Sequence, residues 1–232
     1  MINDKKLKES IYQVKYFQKL SPSLRIFNEK ETRPNTLRYV DISTRGTFVN
    51  IDNNILTDSI EIYKKDNRIE GLISFRRNCD GICLLEVDGR KFLVIVEIKS
   101  GYNEIKKKSF EQLIASYVKT RSILQSIEGY NPLEYEEIGF LISYPPFAKS
   151  SVEENRMTDT KSSIVTPSPL DRLNNYNATR LSVDGEVILN LTDYKVDAYH
   201  VNPALYNNEL YIKHIPVTNF AASETINIDH YL

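Results

Sequence analysis

Two apolar runs separated by the dipeptide Asp88-Gly89 form the clearest pattern of hydrophobic and polar positions in this chain. Asp-Gly between two strand-like runs is typical of a tight two-residue hairpin turn. If these two residues form the turn, Val87 faces Arg90, and every other facing pair has the same sum of residue numbers. The pattern therefore predicts a two-stranded hairpin over residues 79–100 with a fixed register.

Both faces of the predicted hairpin are apolar. One face carries Ile82, Leu84, Leu93 and Ile95, and the other carries Cys83, Leu85, Val87, Phe92, Val94, Val96 and Ile98. Strands of this kind are covered on both faces, as in the central strands of an α/β sheet. Charged residues lie only near the ends, where Glu86 faces Lys91 beside the turn. We therefore expect an α/β fold with a central mixed sheet flanked by helices.

The rest of the chain alternates helical and strand-like patterns. In chain order we predict a helix at 4–20, strand-like alternation at 36–52, an element at 53–66 that fits helix or strand and a strand at 69–76. After the hairpin, Tyr102-Asn103 leads into a helix that begins with the lysines at 106–108 and carries apolar residues from 110 to 124, and a buried strand follows at 138–144. A polar, proline-containing segment follows at 145–178. Beyond it we predict two further hairpins, one at 181–189 around Asp184-Gly185 and one at 205–211 around Asn207-Asn208.

Three charged residues gather at the end of the first hairpin away from its turn. The residue numbers of Asp80 and Glu97 have the same sum as those of Val87 and Arg90, so the two acids are predicted to face each other. Lys99 projects from the same face as Glu97, two residues further along the strand. Like charges in this position repel, unless a cation lies between them. Hard divalent cations take oxygen ligands, so the pair predicts a metal site beside a lysine that can hold a water or an oxyanion. The alternative is a strand end at which the acids and Lys99 simply pair.

This arrangement resembles the restriction-endonuclease-like, or PD-(D/E)xK, nuclease superfamily. Its members have an acid on one strand and E-x-K or D-x-K on the adjacent strand, followed by a helix. Here Asp80 matches the acid of the first strand, and Glu97-Ile98-Lys99 matches the E-x-K of the adjacent strand. Cys79 occupies the position at which the family has its proline. The resemblance covers residues 68–144, in the order strand, strand, helix, strand.

The helix after the lysine strand is similar to the glutamine-bearing helix of the RecB-like branch, which often has the pattern Q-L-x-x-Y. Gln112 matches the glutamine, with a solvated helix residue as the alternative. Tyr117 lies one residue later than the pattern requires, so we expect it to pack in the core.

The resemblance implies a metal-dependent hydrolysis of phosphodiester bonds. Asp80 and Glu97 would bind Mg²⁺ or Mn²⁺, with the carbonyl of Ile98 as a third ligand. Lys99 would orient the attacking water or stabilise the developing charge, and Gln112 would help to position that water or the nearby backbone.

Superfamily members often carry a further acid before the first core strand, for which Glu61, Glu70 and Glu9 are the candidates. With the pattern along the rest of the chain, we expect four parts: an N-terminal helix and strands at 1–52 that pack on the core, a nuclease core at 53–145, a polar loop or flap at 146–178 and a β-rich C-terminal extension at 179–232.

The composition is that of an ordinary globular protein. The chain has 232 residues, of which 41% are hydrophobic and 26% charged. It shows no apolar run as long as a membrane span and no secretion signal at its start, so we expect a cytoplasmic location and no membrane partner. Cys79 and Cys83 do not form a zinc-binding pattern with the three scattered histidines. We therefore expect the two cysteines to be small core residues.

The formal net charge of −1 provides no overall attraction to nucleic acid, so phosphate contacts depend on local basic groups. Arg76 and Arg77 precede the hairpin, and Lys106, Lys107 and Lys108 begin the helix after it. We expect these residues to contact phosphates, with a solvated helix face as the alternative for the lysines.

Together these patterns predict a magnesium- or manganese-dependent nuclease with DNA as the favoured substrate. One alternative is a nuclease-like fold that serves as a nucleic-acid-binding or assembly module without cleavage. Another is the cleaving subunit of a larger defence or repair complex. The modest net charge and the C-terminal segment fit a partner protein that supplies targeting, and a homodimer is the other expected partner.

Overall fold

A mixed β-sheet forms the centre of the part of the chain that the structure describes. The computed structural model describes residues 6, 9–10, 16–18, 21–28, 36–58, 73–144, 167–199, 201–217 and 223–232, without the side chains of 102–104 and 107. In chain order the strands are β1 (Ser21–Phe27), β2 (Tyr39–Ile51), β3 (Gly81–Val87), β4 (Arg90–Lys99), β5 (Tyr135–Ser143), β6 (Glu186–Asn190), β7 (Glu209–Pro216) and β8 (Ser223–Asn227). The helices with described bounds are α1 (Asn54–Asp58), α2 (Tyr102–Leu124) and α3 (Pro169–Asp184). Short 3-10 turns lie at Pro132–Glu134, Val196–Tyr199, Pro203–Leu205 and Ile228–Tyr231.

The eight described strands belong to one sheet. Seven of them follow the order β1-β2-β3-β4-β5-β7-β6, and β8 pairs with β2 beside this path. β4, β5 and β7 are parallel, so their carboxyl ends lie at the same edge of the sheet. β8 is parallel to β2, and the remaining pairs are antiparallel. The expected α/β class is confirmed in this coarse form, as a mixed sheet with few helices.

The hairpin of β3 and β4 has the register that its turn predicts. Val87 pairs with Arg90, and the same register continues along both strands. Asp88 and Gly89 have φ angles of 52° and 78°. Positive φ at both central residues is what a two-residue type I′ turn requires, and Asp-Gly tolerates it well. The sequence therefore determines which residues of the two strands meet.

Two apolar clusters cover the two faces of the sheet. The first contains Ile82 and Leu93 and is covered by α2, whose buried residues pack on it. The second contains Val94 and Ile98 together with residues of β1, β2, β8 and the segment after β8. Among the described residues, no α-helix contributes to the second cluster, whereas the 3-10 turn at Ile228–Tyr231 does. Residues on both faces of the central strands are thus buried, as the apolar pattern predicts.

The second Asp-Gly dipeptide forms a helix end, so the hairpin predicted at 181–189 is wrong. Residues 181–184 are the last turn of α3, and Gly185 follows with a φ of 74° as its C-cap. β6 then begins at Glu186 and pairs with β7. Glycine favours a left-handed backbone in both settings, so the dipeptide alone does not distinguish a hairpin from a helix end.

The hairpin predicted at 205–211 is also wrong. Leu205 ends a 3-10 turn, and Asn207 and Asn208 precede β7 without reversing the chain between two paired strands. β7 instead pairs with β5 and β6.

The polar segment predicted at 145–178 contains the start of a helix. Ser168 Oγ accepts from the Asp171 amide at 3.1 Å, and Asp171 Oδ2 accepts from the Ser168 amide at 3.2 Å. This reciprocal pair is a capping box, with Pro169 at the first helical position. The prediction is therefore wrong for residues 169–178, because its proline and polar residues form a helix cap. Residues 145–166 lie outside the described residues.

Two predictions nearer the amino terminus also need correction. Residue 16 is in a turn and Phe17 forms an isolated bridge with Ile51, so the helix predicted at 4–20 does not reach residue 16. Residues 73–76 are loop and turn rather than strand, and 69–72 lie outside the described residues. The ambiguous element at 53–66 is helical over Asn54–Asp58, and its remaining residues are not described. None of the helices within the described ranges is long and apolar enough to cross a membrane.

Candidate active site

Asp80 lies directly before β3, at the end of the hairpin away from the turn. Its amide donates to the Val96 carbonyl at 3.0 Å, and its Oδ2 accepts from the Ile98 amide at 2.7 Å. The regular pairing of β3 with β4 stops at Gly81, the residue after Asp80, which lies opposite Val96. The ladder therefore does not include the direct pair with Glu97 that the register predicts, because the carboxylate of Asp80 takes the place of a backbone partner for Ile98.

Glu97 is completely buried, with 0% exposure, on the face of β4 that α2 covers. Lys99, two residues later on the same face, contacts Glu97 Oε1 with its ammonium group. A carboxylate removed from water is costly unless a cation or hydrogen-bond donors compensate its charge. Lys99 supplies that positive charge in this structure.

Gln112 of α2 joins this pair to the loop before Asp80. Lys99 Nζ donates to Gln112 Oε1 at 3.2 Å, and Gln112 Nε2 donates to the Asn78 carbonyl at 2.9 Å. Gln112 is only 6% exposed, so the alternative of a solvated helix residue is wrong. One series of contacts thus runs from Glu97 through Lys99 and Gln112 to the segment that carries Asp80.

Tyr117, the weaker match to the family pattern, is a core residue as expected. Its side chain is fully buried in the cluster beneath α2. Its hydroxyl donates to Glu137 and accepts from the Asn207 amide at 2.7 Å. Burial raises the pKa of this phenol, and the charge of Glu137 adds to the shift. These contacts join α2 to β5 and to the approach to β7.

Several side chains that the sequence does not single out hold the loop before Asp80. Asn53 Nδ2 donates to the carbonyls of Cys79 and Asp80 at 3.0 and 2.9 Å. Ser116 Oγ accepts from the Cys79 amide at 2.8 Å. The loop is thus bonded from α2 on one side and from the start of α1 on the other.

Lys119 is the third residue of α2 that bonds to this loop. It is fully buried, and its ammonium donates to the carbonyls of Phe75 and Arg77, both at 3.0 Å, and to Asn78 Oδ1. Burial lowers the pKa of Lys119 to about 8. The three oxygen acceptors oppose this shift, because they favour the ammonium form.

Helical spacing is a partial signal for these three α2 residues, because it groups them without showing that they are buried. Gln112, Ser116 and Lys119 follow one another at intervals of four and three, so they share one side of the helix. That side lies opposite the apolar stripe that carries Leu113, Ile114 and Tyr117, so the pattern is typical of a solvated row, and only the structure shows that all three residues are buried. Asn53 has no comparable signal in the sequence.

Cys79 lies close to the charges of the site. Burial, together with the negative charges of Glu97 and Asp80, raises the pKa of its thiol to about 12, while the hydrogen bond with Ser116 and the charge of Lys119 act in the opposite direction. Cys79 and Cys83 are both buried and form no disulfide, which confirms them as small core residues.

The predicted phosphate-binding arginines differ in their surroundings. Arg76 is exposed. Arg77 pairs with Glu111 of α2 at 2.6 Å, and the Glu111 side chain is 6% exposed. Glu111 also accepts from Asn174 of α3 at 3.4 Å, and burial raises the pKa of its carboxyl. Arg77 is therefore engaged in an internal ion pair.

The predicted basic residues of α2 lie in its first turns. Lys108 is exposed and Lys106 is half-buried, while the side chain of Lys107 lies outside the described residues. Of the three candidates for an upstream acid, Glu9 is at an exposed helical position, and Glu61 and Glu70 are also outside the described residues.

Parallel pairing brings two further polar residues to the same edge of the sheet. Ser143 pairs with Lys99 across β4 and β5, and its Oγ lies 2.9 Å from His214 Nε2 on β7. Because Ser143 Oγ donates its single proton to the Tyr144 carbonyl at 3.0 Å, it accepts from the Nε2–H of His214. Burial lowers the pKa of His214 to about 4, so the imidazole is neutral near pH 7.

The donor atoms present suit a magnesium-like ion. In the part of the chain that the structure describes, no three His, Cys, Asp or Glu side chains converge on one point. A closed zinc site needs four such ligands, whereas Mg²⁺ is commonly held by one or two carboxylates with waters and phosphate oxygens. Asp80 and Glu97 are two carboxylates within one hairpin end, so the donor set fits Mg²⁺ or Mn²⁺.

Comparisons with models of known protein families, with curated proteins and with solved structures find no match to this chain. Function is therefore inferred from the residues of the site and their contacts.

Proposed function

We propose that this chain is a metal-dependent nuclease with a restriction-endonuclease-like core, which hydrolyses phosphodiester bonds with DNA as the favoured substrate. The observation that supports it most is the series of contacts from Glu97 through Lys99 to Gln112, next to Asp80. A fully buried carboxylate with a second acid nearby is an expensive arrangement for stability alone. Such arrangements are concentrated at functional sites.

The proposed roles follow from the position of each side chain. Asp80 and Glu97 hold Mg²⁺ or Mn²⁺, with the Ile98 carbonyl as the third protein ligand, and the bound ion supplies polarisation of the phosphate and a more acidic water. Lys99 presents its ammonium group beside Glu97, where it stabilises negative charge on the phosphate or orients the water. Gln112 keeps Lys99 in place by accepting its hydrogen bond.

The sheet topology supports substrate binding at this place. Glu97 and Lys99 lie at the carboxyl end of β4, beside the carboxyl ends of parallel β5 and β7. Ligands of open α/β sheets bind outside the carboxyl ends of the strands. Exposed Arg76 and Lys108 belong to the segments on either side of the hairpin and are the proposed phosphate contacts.

The proposal is tested by incubating linear and circular duplex DNA, single-stranded DNA and RNA with the protein and Mg²⁺ or Mn²⁺. We expect Asp80→Asn and Glu97→Gln each to reduce cleavage on the order of a hundredfold or more, because each removes a charged ligand of the ion. Glu86→Gln is the matched control, since Glu86 lies at the other end of the same hairpin, opposite Lys91. Wild-type turnover in either site variant would refute the assignment.

One observation favours a second candidate, a nucleic-acid-binding or assembly module with the same core and no cleavage. Lys99 contacts Glu97, so a cation beside this carboxylate is available without a metal ion. A calorimetric titration of the wild-type protein with Mn²⁺ distinguishes the two functions. The nuclease binds Mn²⁺ in a manner that Asp80→Asn abolishes, whereas the module binds nucleic acid without binding Mn²⁺.

A further inference from the structure

A row of three buried polar side chains along α2 bonds to the loop that leads to Asp80. Gln112 donates to the Asn78 carbonyl, and Ser116 accepts from the Cys79 amide. Lys119, three residues further along the helix, donates to three oxygens of the same loop. The loop over residues 75–79 is thus attached to α2 at successive positions.

Lys119 makes more hydrogen bonds to this loop than Gln112 or Ser116 does. Its side chain is 0% exposed, and lysine is almost never fully buried without partners. The acceptors that the structure gives it are two backbone carbonyls and one side-chain amide oxygen, all within residues 75–78. Its ammonium group therefore stabilises one conformation of a segment that has no strand or helix pairing of its own.

The loop in turn determines where Asp80 lies. Asn53 donates to the carbonyls of Cys79 and Asp80, and Asp80 Oδ2 accepts from the Ile98 amide. A shift of the loop away from α2 would draw Asp80 away from Ile98, because only Cys79 separates Asp80 from the segment that Lys119 holds.

We propose that Lys119 is a positioning residue for the metal site, which holds the Asp80 carboxylate beside β4 through the loop at residues 75–79. This inference rests on the proposed function in so far as the positioned carboxylate is a metal ligand. A purely structural lysine would stabilise the whole fold equally. A positioning lysine affects Asp80 more than the rest of the sheet.

The first test measures backbone amide exchange by NMR in Lys119→Met, which keeps the length of the side chain and removes its donors. Exchange at Ile98 reports on Asp80, because the Ile98 amide donates to Asp80 Oδ2. We expect exchange at Ile98 to become at least tenfold faster, with little change at Val94 in the middle of β4. Exchange that rises by the same factor at both amides, or that does not change at Ile98, would overturn the proposal.

Ser116→Ala serves as a second variant if Lys119→Met does not fold, since it removes one bond to the same loop. The same selective effect on Ile98 is expected, with a smaller magnitude. Ser122→Ala is the matched control on the same helix, because the Ser122 hydroxyl donates to the Val118 carbonyl at 2.8 Å and not to the loop. An equal effect of the two serine substitutions on Ile98 would also contradict the proposal.

The second test is Mn²⁺ affinity by calorimetry, without nucleic acid. We expect Lys119→Met to bind Mn²⁺ about tenfold or more weakly, as is typical when a residue that supports a metal ligand is removed. Unchanged affinity in folded Lys119→Met would overturn the metal-site role.

The two proposals fail in different ways. Absence of Mn²⁺ binding and cleavage in the wild type would refute the nuclease, and the exchange at Ile98 would still report whether Lys119 positions Asp80. Wild-type binding of Mn²⁺ combined with unaltered binding in Lys119→Met would leave the nuclease and refute the role of Lys119.

Discussion

Lys99 contacts the buried carboxylate of Glu97, two residues earlier on β4, and also donates to Gln112 of α2. The Lys99 side chain is 17% exposed and that of Glu97 0%, so the pair lies largely outside water. The same ammonium group is thus available to compensate the acid and to act on a substrate.

Replacement of Lys99 by Met separates these two roles. We expect turnover to fall by roughly 10²- to 10³-fold, because a positioned positive charge is lost from the reacting phosphate. Mn²⁺ affinity should be unchanged or increased, since Glu97 no longer has a competing cation. Lys91→Met at the other end of the hairpin, where Lys91 pairs with Glu134, is the control. Turnover equal to that of the wild type would exclude the proposed role.

The exposed basic residues Arg76 and Lys108 lead to a prediction about how DNA binding depends on salt concentration. Arg76→Ala and Lys108→Ala should each weaken duplex DNA binding and reduce the slope of log affinity against log salt concentration by about one, the effect of one lost phosphate contact. Arg90→Ala is a suitable control, because Arg90 lies at the hairpin turn and pairs with Glu136. Fluorescence anisotropy at several salt concentrations measures the slopes. Identical slopes in all four proteins would remove Arg76 and Lys108 from the interface.

His214 predicts a specific dependence of stability on pH. Burial lowers its pKa from 6.5 to about 4, so between these values the unfolded chain binds a proton that the native protein does not. The free energy of unfolding should therefore fall as the pH drops from about 6.5 to about 4, by at most about 3 kcal/mol at 1.4 kcal/mol per pKa unit.

Urea unfolding at pH 7 and pH 4.5 measures this difference. In His214→Gln, where no imidazole titrates, the loss between the two pH values should be smaller than in the wild type. His230→Gln is the matched control, because His230 is exposed in the last 3-10 turn. If both substitutions change the pH dependence equally, the burial of His214 is not its cause.

The capping box of α3 predicts an effect on stability away from the site. Ser168→Ala removes the acceptor of the Asp171 amide and should lower the free energy of unfolding by about 1 kcal/mol. Ser182→Ala in the same helix should change it by less than about 0.5 kcal/mol, because the Ser182 hydroxyl donates only locally, to the Thr179 carbonyl at 2.7 Å. Equal losses measured by urea unfolding would contradict the role of the cap.

The two Asp-Gly dipeptides show why local sequence predicts one part of this fold and not another. Asp88-Gly89 lies between two apolar runs of strand length, and the hairpin and its register follow from the sequence. Asp184-Gly185 is preceded by a segment whose polar residues resemble a loop, yet that segment is α3. Both glycines have positive φ, so only the preceding residues distinguish the two structures, and there the polar composition of α3 conceals its helical character.

The candidate site likewise contains residues that the sequence predicts and one residue, Asn53, that it does not. Asp80, Glu97, Lys99 and Gln112 come from a hairpin and the helix after it, so spacing along the chain is sufficient to bring them together. Asn53 reaches the loop from the start of α1, more than twenty residues earlier. Its contact depends on how β2 and α1 meet β3, which no local pattern specifies. The order β5-β7-β6 depends likewise on packing between distant segments.

The pairing of β2 with β8 has a consequence for the order in which this chain folds. Thr44 donates to Asp229, a residue 185 positions later, so this part of the sheet can form only after a very long loop has closed. The turn between β3 and β4 closes over two residues, and short closures are faster and entropically cheaper. We expect the hairpin that presents Glu97 and Lys99 to be protected early in refolding and β8 late. Pulse-labelled hydrogen exchange would reveal the opposite order if β2–β8 pairing nucleates folding.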